Sequence, residues 1–83
     1  MTDFIVVAIG DNDNKYYIAN TSPIIWSSDI KDVKMFDSYK HAKNELEDHF
    51  IYLCSTIVHT GIHSIWIFEY YNNEEIGRTK YIW

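Results

Sequence analysis

The order of apolar and polar residues predicts a β-hairpin near each end of the chain. The first hairpin joins Phe4–Ile9 to Lys15–Ala19 through turn-forming residues at positions 10–14. The second joins His63–Tyr71 to Ile76–Ile82 through a polar turn of four residues. β-branched and aromatic residues dominate these segments, and such residues favour strands. The pattern therefore predicts four strands in two hairpins.

The strand His63–Tyr71 carries apolar residues on both of its faces. Successive side chains of a strand point to opposite sides, so isoleucines occupy one face while Trp66, Phe68 and Tyr70 occupy the other. A strand that is apolar on both sides is typical of the middle of a sheet or of an interface. The alternation therefore predicts a sheet face rich in rings.

One amphipathic helix is predicted between the hairpins. Apolar residues recur at helical spacing along one stripe, which comprises Ala42, Leu46, Phe50, Leu53 and Ile57. Asp37 or Ser38 caps the start of the helix, and Thr60-Gly61 ends it. Before the helix, Ile24–Trp26 forms a short extended piece and a short helical turn runs to Val33.

These elements predict a single α+β domain over residues 1–83. One α-helix packs on a four-stranded antiparallel sheet in the chain order β-β-α-β-β, because a helix with one apolar face must cover one face of a sheet. A chain of 83 residues holds one core and has no room for a second. The long connection between the hairpins leaves the strand order within the sheet open.

Composition and charge exclude several classes of protein. Hydrophobic residues make up 47% of the chain, which is too apolar for a disordered segment. The net charge of −5 argues against direct nucleic-acid binding, which favours a basic face. No apolar run is long enough to span a membrane, and Asp3 is acidic where a signal peptide has basic residues. We therefore expect a soluble cytoplasmic protein, and the single Cys54 fits a reducing compartment.

The residues that could carry catalysis or bind a metal do not complete a recognisable site. Asp11-x-Asp13 lacks the later ligands of a calcium loop. Cys54, His59 and His63 lack a fourth zinc ligand, and a glycine separates the two histidines. No glycine-rich phosphate loop is present. The sequence therefore predicts a protein that is not an enzyme, with no catalytic residue, no metal-binding residue and no cofactor.

Aromatic residues make up 17% of the chain, more than one small core needs. Tyrosine and tryptophan are enriched at the energetic centres of protein interfaces. Two interpretations stay open: the rings pack across strands and stiffen the sheet, or they form a docking face opposite the helix. The predicted partner-binding residues are Tyr17, Trp66, Tyr70, Tyr71, Tyr81 and Trp83, with Glu74 and Glu75 as a charged rim.

The favoured function is a small protein that binds a protein partner and blocks it sterically. An apolar sheet face is a liability in water, so we also expect self-association as a homodimer, through an edge strand or through the aromatic face. One alternative is an accessory protein that assembles with itself and has no outside target. Another is an acidic DNA mimic that inhibits a basic protein, although seven basic residues dilute its negative charge.

A motif between the first hairpin and the helix resembles a group of small proteins. It runs Trp26-x2-Asp29, then Val33-x2-Phe36-x-Ser38-x3-Ala42, and Tyr16-Tyr17 leads into it. The segment is similar to small uncharacterised proteins from the early regions of temperate phages, staphylococcal ones in particular. The resemblance covers the first two thirds of the chain. It implies a protein that binds a host or mobile-element protein, such as a defence nuclease, a replication factor or a repressor, and hence an anti-defence inhibitor or an antirepressor.

Overall fold

Five strands and two α-helices form the fold of residues 2–82, which this computed structural model describes without the side chains of residues 58–60. The strands are β1 (Asp3–Gly10), β2 (Lys15–Thr21), β3 (Ile24–Ser27), β4 (Ile62–Tyr71) and β5 (Glu74–Ile82). The helices are α1 (Tyr39–Asp48) and α2 (Phe50–Thr60). Short 3₁₀ turns occupy Asp11–Asp13 and Ile30–Asp32.

The strands form one antiparallel sheet in the order β3-β2-β1-β4-β5. β1 lies at the centre and pairs with β4 along its whole length, from Asp3 opposite Tyr70 to Gly10 opposite Ile62. The two predicted hairpins are therefore adjacent through the first strand of each. This arrangement settles the strand order that the sequence leaves open.

The predicted four-stranded sheet is wrong because Ile24–Ser27 forms a further strand at the edge. A turn at Ser22-Pro23 brings the chain back along β2, so that Trp26 lies opposite Ile18. The indole Nε1 of Trp26 donates a hydrogen bond to Thr56 Oγ1 on α2 (3.2 Å). A run of four residues is too short to show a clear alternation, and its partners are β2 and a distant helix.

The predicted single helix is wrong because the chain breaks at His49. The His49 backbone N–H donates to the Leu46 carbonyl (3.3 Å), as in a tightened last turn. The imidazole Nδ1 donates to the Glu45 carbonyl (3.1 Å), the acceptor that a continuous helix would bond to the His49 N–H. α2 then begins with the Leu53 N–H bonded to the His49 carbonyl (2.9 Å). Neither helix of residues 2–82 has the length and apolar character needed to cross a membrane.

The break at His49 changes which residues share the apolar stripe. Ala42 and Leu46 of α1 and Leu53 and Ile57 of α2 are buried against the sheet. Phe50, which the sequence places in the same stripe, is 43% exposed because it follows the break directly.

Both predicted ends of the helical region are confirmed. Ser38 precedes α1, and its Oγ accepts a hydrogen bond from the His41 N–H (3.0 Å). Gly61 follows α2 in the left-handed conformation with φ 70°, which glycine adopts without strain. The short helical turn before the helix is also present, and the Asp29 carboxylate accepts from the Lys31 N–H at its start (2.9 Å).

The helices pack on one side of the sheet, here called the covered face. The sheet side chains buried there include Val6, Ala8, Ile18, Ile65 and Ile67. The opposite side, here called the open face, carries a separate cluster of Ile5, Val7 and Phe68 with their ring neighbours. The predicted alternation along β4 is therefore confirmed, because Ile65 and Ile67 lie on the covered face while Trp66, Phe68 and Tyr70 lie on the open face.

β1 and β2 pair only near the turn that joins them and then separate. A short insert of Lys34, Met35 and Phe36 lies between them at that point. The Lys34 N–H donates to the Ile18 carbonyl of β2 (2.8 Å). Phe36 and Phe4 of β1 exchange two backbone hydrogen bonds (2.9 and 2.8 Å). The insert buries Phe36 in the covered-face core and leaves Met35 exposed beside the open face.

Candidate functional site

The open face carries apolar residues that neither helix of residues 2–82 covers. Ile5, Val7 and Phe68 are at most 2% exposed, although both helices pack on the other side of the sheet. Their cover consists of half-buried neighbours, namely Tyr17, Val33, Trp66 and Tyr70. These side chains, three of them aromatic, therefore stabilise the sheet and still present part of their surface to solvent.

The strand register orders the open face into three rows that run across the sheet. The first row comprises Asp3, Tyr70 and Glu75; the second comprises Ile5, Phe68 and Arg78; the third comprises Tyr17, Val7, Trp66 and Lys80. Neighbouring rows lie about 7 Å apart along β4, because a strand rises about 3.3 Å per residue. The rows place aromatic rings on β4 and cations next to them on β5.

Three cations lie over two rings at the centre of the open face. The Arg78 guanidinium is 4.3 Å from the Phe68 ring centroid, and the Lys80 ammonium is 5.4 Å from the Trp66 centroid. Lys15 reaches over from β2 and lies 6.0 Å from the Phe68 centroid. Each contact of this kind contributes about 0.5–1 kcal/mol at an exposed site. These contacts therefore keep three cationic side chains at the centre of the open face.

Glu75 fixes the orientation of the Arg78 guanidinium. Arg78 Nε and Nη2 donate to the two carboxylate oxygens of Glu75 at 2.6 and 2.7 Å. This two-bond pairing is the strongest geometry available to an arginine and a carboxylate. The hydrogen bonds from Arg78 hold the pKa of the Glu75 carboxyl below its usual value and raise the pKa of Arg78. Arg78 therefore neutralises the charge of Glu75, which is one of the two residues predicted to form the charged rim.

The sign of the charge at the centre of the open face is opposite to that of the whole chain, which carries −5. The second and third rows hold Arg78 and Lys80, and Lys15 lies over Phe68, the ring of the second row. The Glu75 carboxylate balances the charge of Arg78, so the excess positive charge at the centre comes from Lys15 and Lys80, while Asp3 lies in the first row, at the margin. A negatively charged ligand would therefore find a favourable field only at the centre of the face.

An apolar groove of about 330 Å³ lies beside the first row. The residues that line it are Asp3, Ile5, Ile30, Val33, Met35, Tyr70 and Asn73. Met35 is 59% exposed and Ile30 is 43% exposed, so the groove opens to solvent between apolar walls. Its volume is at the lower end of the roughly 300–1,000 Å³ of ligand clefts, which is enough for one large apolar side chain. Burial raises the pKa of the Tyr70 hydroxyl at this site.

The structure brings together half of the residues that the sequence assigns to partner binding. Tyr17, Trp66, Tyr70 and Glu75 lie within the three rows of the open face. Tyr81 packs instead against the covered-face core, where burial raises the pKa of its hydroxyl.

The remaining predicted residues lie away from these rows. Tyr71 and Glu74 form an exposed pair beside the β4–β5 turn, and Tyr71 points away from Tyr70 because strand side chains alternate. Trp83 lies outside the described residues.

Sequence reasoning missed the cations and the groove. Arg78 and Lys80 alternate along β5, but only the strand register shows that they meet Phe68 and Trp66. Two irregularities in the β4–β5 pairing shift that register, so simple hairpin counting does not predict it. Met35 belongs to an insert that has no periodic pattern and owes its position to tertiary hydrogen bonds.

The candidate metal ligands whose side chains the structure describes do not gather into a site. His63 Nε2 and Asp11 Oδ1 pair with each other and connect the β1–β2 turn to the start of β4. Cys54 lies in α2 and is partly buried. Among the side chains that the structure describes, no group of three or more His, Cys, Asp or Glu residues could hold a metal ion. The side chain of His59 lies outside the description.

Comparisons with protein-family models, curated proteins and solved structures found no match to this chain. The candidate site is therefore defined by its geometry. It combines half-exposed rings, fixed cations, a polar margin and an adjacent apolar groove, and this combination is typical of surfaces that bind another macromolecule.

Proposed function

We propose that this chain is a non-enzymatic binding domain that docks on a protein partner through the open face and blocks that partner sterically. The observation that carries the proposal is the groove beside the first row, where Met35 is 59% exposed between other apolar walls. Tyr70 lines the groove, and Trp66 and Tyr17 lie further along the same face; these half-exposed rings are residue types that dominate interface energetics. Apolar surface of this kind stabilises a complex when a partner removes it from water.

A protein partner fits the open face better than a nucleic acid does. Single-stranded nucleic acids bind by stacking bases on exposed rings. Phe68 is only 1% exposed, and Arg78 and Lys80 lie over Phe68 and Trp66 where bases would stack. The net charge of −5 also repels a polyanion at long range.

The proposal includes the class of partner that the phage resemblance implies. That class comprises regulatory or defence proteins of a host cell or of a mobile element. The chain would bind such a partner in the cytoplasm. Steric blocking fits such a role, since a domain of 83 residues can cover a functional surface on a larger protein.

Two matched substitutions test whether the open face does the binding. The full chain is used to capture proteins from a lysate of the host cells, as wild type, as Met35→Glu and as Ile51→Glu. Both variants replace an exposed apolar residue by glutamate, but Ile51 lies on α2, away from the groove. We expect Met35→Glu to lose a captured protein that the wild type and Ile51→Glu retain. Identical captured proteins for all three chains, each shown to be folded, would contradict the proposal.

Light scattering on the same variants distinguishes binding from self-assembly. A stable oligomer that Met35→Glu dissociates, without any captured protein, would favour a self-assembling accessory protein. A monomeric wild type that captures a protein agrees with the proposed function.

A further inference from the structure

We infer that the open face binds an acidic, extended peptide segment of the partner, with one apolar residue of that segment in the groove. This partner chemistry rests on the proposed docking function and makes it specific. Two features of the face support it: the placement of the charges and the distance between the groove and the cations.

The positive charges are already in position before a ligand arrives. Arg78 is held by two hydrogen bonds from its guanidinium to Glu75 and by its contact with Phe68. The remaining N–H groups of the guanidinium are available for a second carboxylate. Lys80 lies over Trp66 at 5.4 Å. Side chains that are ordered in the free protein lose less conformational entropy on binding.

The distance from the groove to the cations matches an extended peptide. Tyr70 lines the groove, and Trp66 lies under Lys80, four positions away on β4. Four residues of a strand span about 13 Å, and four residues of an extended peptide ligand span the same distance. Residues four apart in an extended chain point to the same side, so one can enter the groove while the other reaches Lys80. Between these two, at the second position from the apolar residue, another carboxylate would lie over Phe68, where Arg78 and Lys15 are held.

The mixed character of the face favours a peptide over a uniformly charged polymer. Asp3 lines the groove and Glu75 lies in the same row, so one end of the face is apolar with an acidic margin. A phosphate backbone would place negative charge against both ends alike. A peptide can place an apolar side chain at the groove and carboxylates over Arg78 and Lys80.

Synthetic peptides test the charge and the spacing. Peptides of about ten residues, long enough to cross the face, carry one leucine with glutamates at two and four positions from it, one peptide for each chain direction. Matched peptides carry glutamine in place of glutamate, or glutamates at odd spacings. Titration into ¹⁵N-labelled full chain, followed by NMR, gives the affinity and the residues whose signals shift. We expect one glutamate peptide to bind at the open face and its glutamine and odd-spaced counterparts to bind about tenfold more weakly.

Charge-reversal variants of the protein test which lysines contribute to binding of the glutamate peptide. We expect Lys80→Glu and Lys15→Glu each to weaken the binding of the glutamate peptide about tenfold, and Lys40→Glu on α1 to change it less than about twofold. Lys40→Glu makes the same change in net charge away from the open face. Equal weakening by all three variants would show an effect of net charge alone and overturn the inference. So would equal affinity for the glutamine peptide, no binding of any peptide, or tighter binding of an oligothymidylate.

The same variants separate the partner chemistry from the proposed function. If Met35→Glu prevents partner capture while Lys15→Glu and Lys80→Glu leave it unchanged, the docking function stands and the acidic segment is wrong. If none of the three changes the capture, the docking function itself is wrong.

Discussion

The guanidinium of Arg78 lies 4.3 Å from the ring centroid of Phe68 on the open face of the sheet. Phe68 is nevertheless only 1% exposed. The apolar stem of a long cationic side chain can exclude water from a ring while its charged end stays in solvent. Arg78 therefore contributes to the stability of the open face, while Glu75 balances its charge.

Replacing Arg78 should destabilise the protein measurably. We expect Arg78→Ala to lower the free energy of unfolding by about 1–2 kcal/mol, because it uncovers Phe68 and removes a cation–ring contact. Urea unfolding followed by circular dichroism measures the change. Lys40→Ala, on the exposed side of α1, is the matched control and should stay within about 0.5 kcal/mol of the wild type. Equal stability of the two variants would contradict a covering role for Arg78.

The Glu75–Arg78 pair should make stability depend on pH in the acid range. Hydrogen bonds from Arg78 hold the folded-state pKa of Glu75 below its ordinary value of 4.5. The contribution of Glu75 to stability is therefore complete above the ordinary pKa and is lost as the pH falls through the lowered one. Wild type should exceed Glu75→Gln in unfolding free energy by at most about 1 kcal/mol at neutral pH, since the pair is partly exposed.

That difference should disappear at a pH well below the folded-state pKa of Glu75, where both chains carry a neutral side chain. Urea unfolding of the two proteins at several pH values checks it. A difference that persists unchanged into strong acid would show that the glutamine acts through something other than the lost ion pair.

Because the helix breaks at His49, we expect alanine substitutions at two positions of the predicted apolar stripe to lower the stability by different amounts. Leu53 is fully buried, so Leu53→Ala should cost about 2–5 kcal/mol of unfolding free energy. Phe50 is 43% exposed, so Phe50→Ala should cost less than about 1.5 kcal/mol. Thermal or urea unfolding of both variants gives the comparison. Similar losses at both positions would indicate a continuous helix with Phe50 in the core.

The hydrogen bond from Trp26 to Thr56 should hold the edge strand β3 against α2. Thr56→Val removes the acceptor of the indole N–H while keeping the shape of the side chain, and should cost about 1 kcal/mol. Thr56→Ser keeps the hydroxyl and serves as the control. Hydrogen exchange should become faster at the backbone amides of β3 in Thr56→Val than in Thr56→Ser. Unchanged exchange rates in β3 would show that its pairing with β2 alone holds it in place.

The sequence predicts most of the sheet because its signals there are local. Alternation along His63–Tyr71 separates isoleucines from rings, and the structure places them on opposite faces. The β4–β5 turn is tighter than predicted: only Asn72 and Asn73 lie between the strands, both with positive φ, which asparagine tolerates better than most residues.

The helix break and the edge strand depend on interactions that periodicity cannot show. At His49, a side chain takes the place of a backbone donor to the Glu45 carbonyl, while the apolar spacing from Leu46 to Leu53 stays helical. For the candidate site, the rings are foreseeable from alternation. The cations over them depend on a register altered by β-bulges, and the groove depends on Met35 in the insert.

The insert of Lys34, Met35 and Phe36 contributes both to the proposed binding site and to the hydrogen bonding of the sheet. Its amide groups complete the hydrogen bonding of β1 and β2 where these strands diverge, and its central side chain forms a wall of the groove. A ligand seated against Met35 would therefore also brace the seam between two strands. Occupancy should slow amide exchange at Phe4 and Phe36, so that the centre of the sheet itself reports whether the groove is filled.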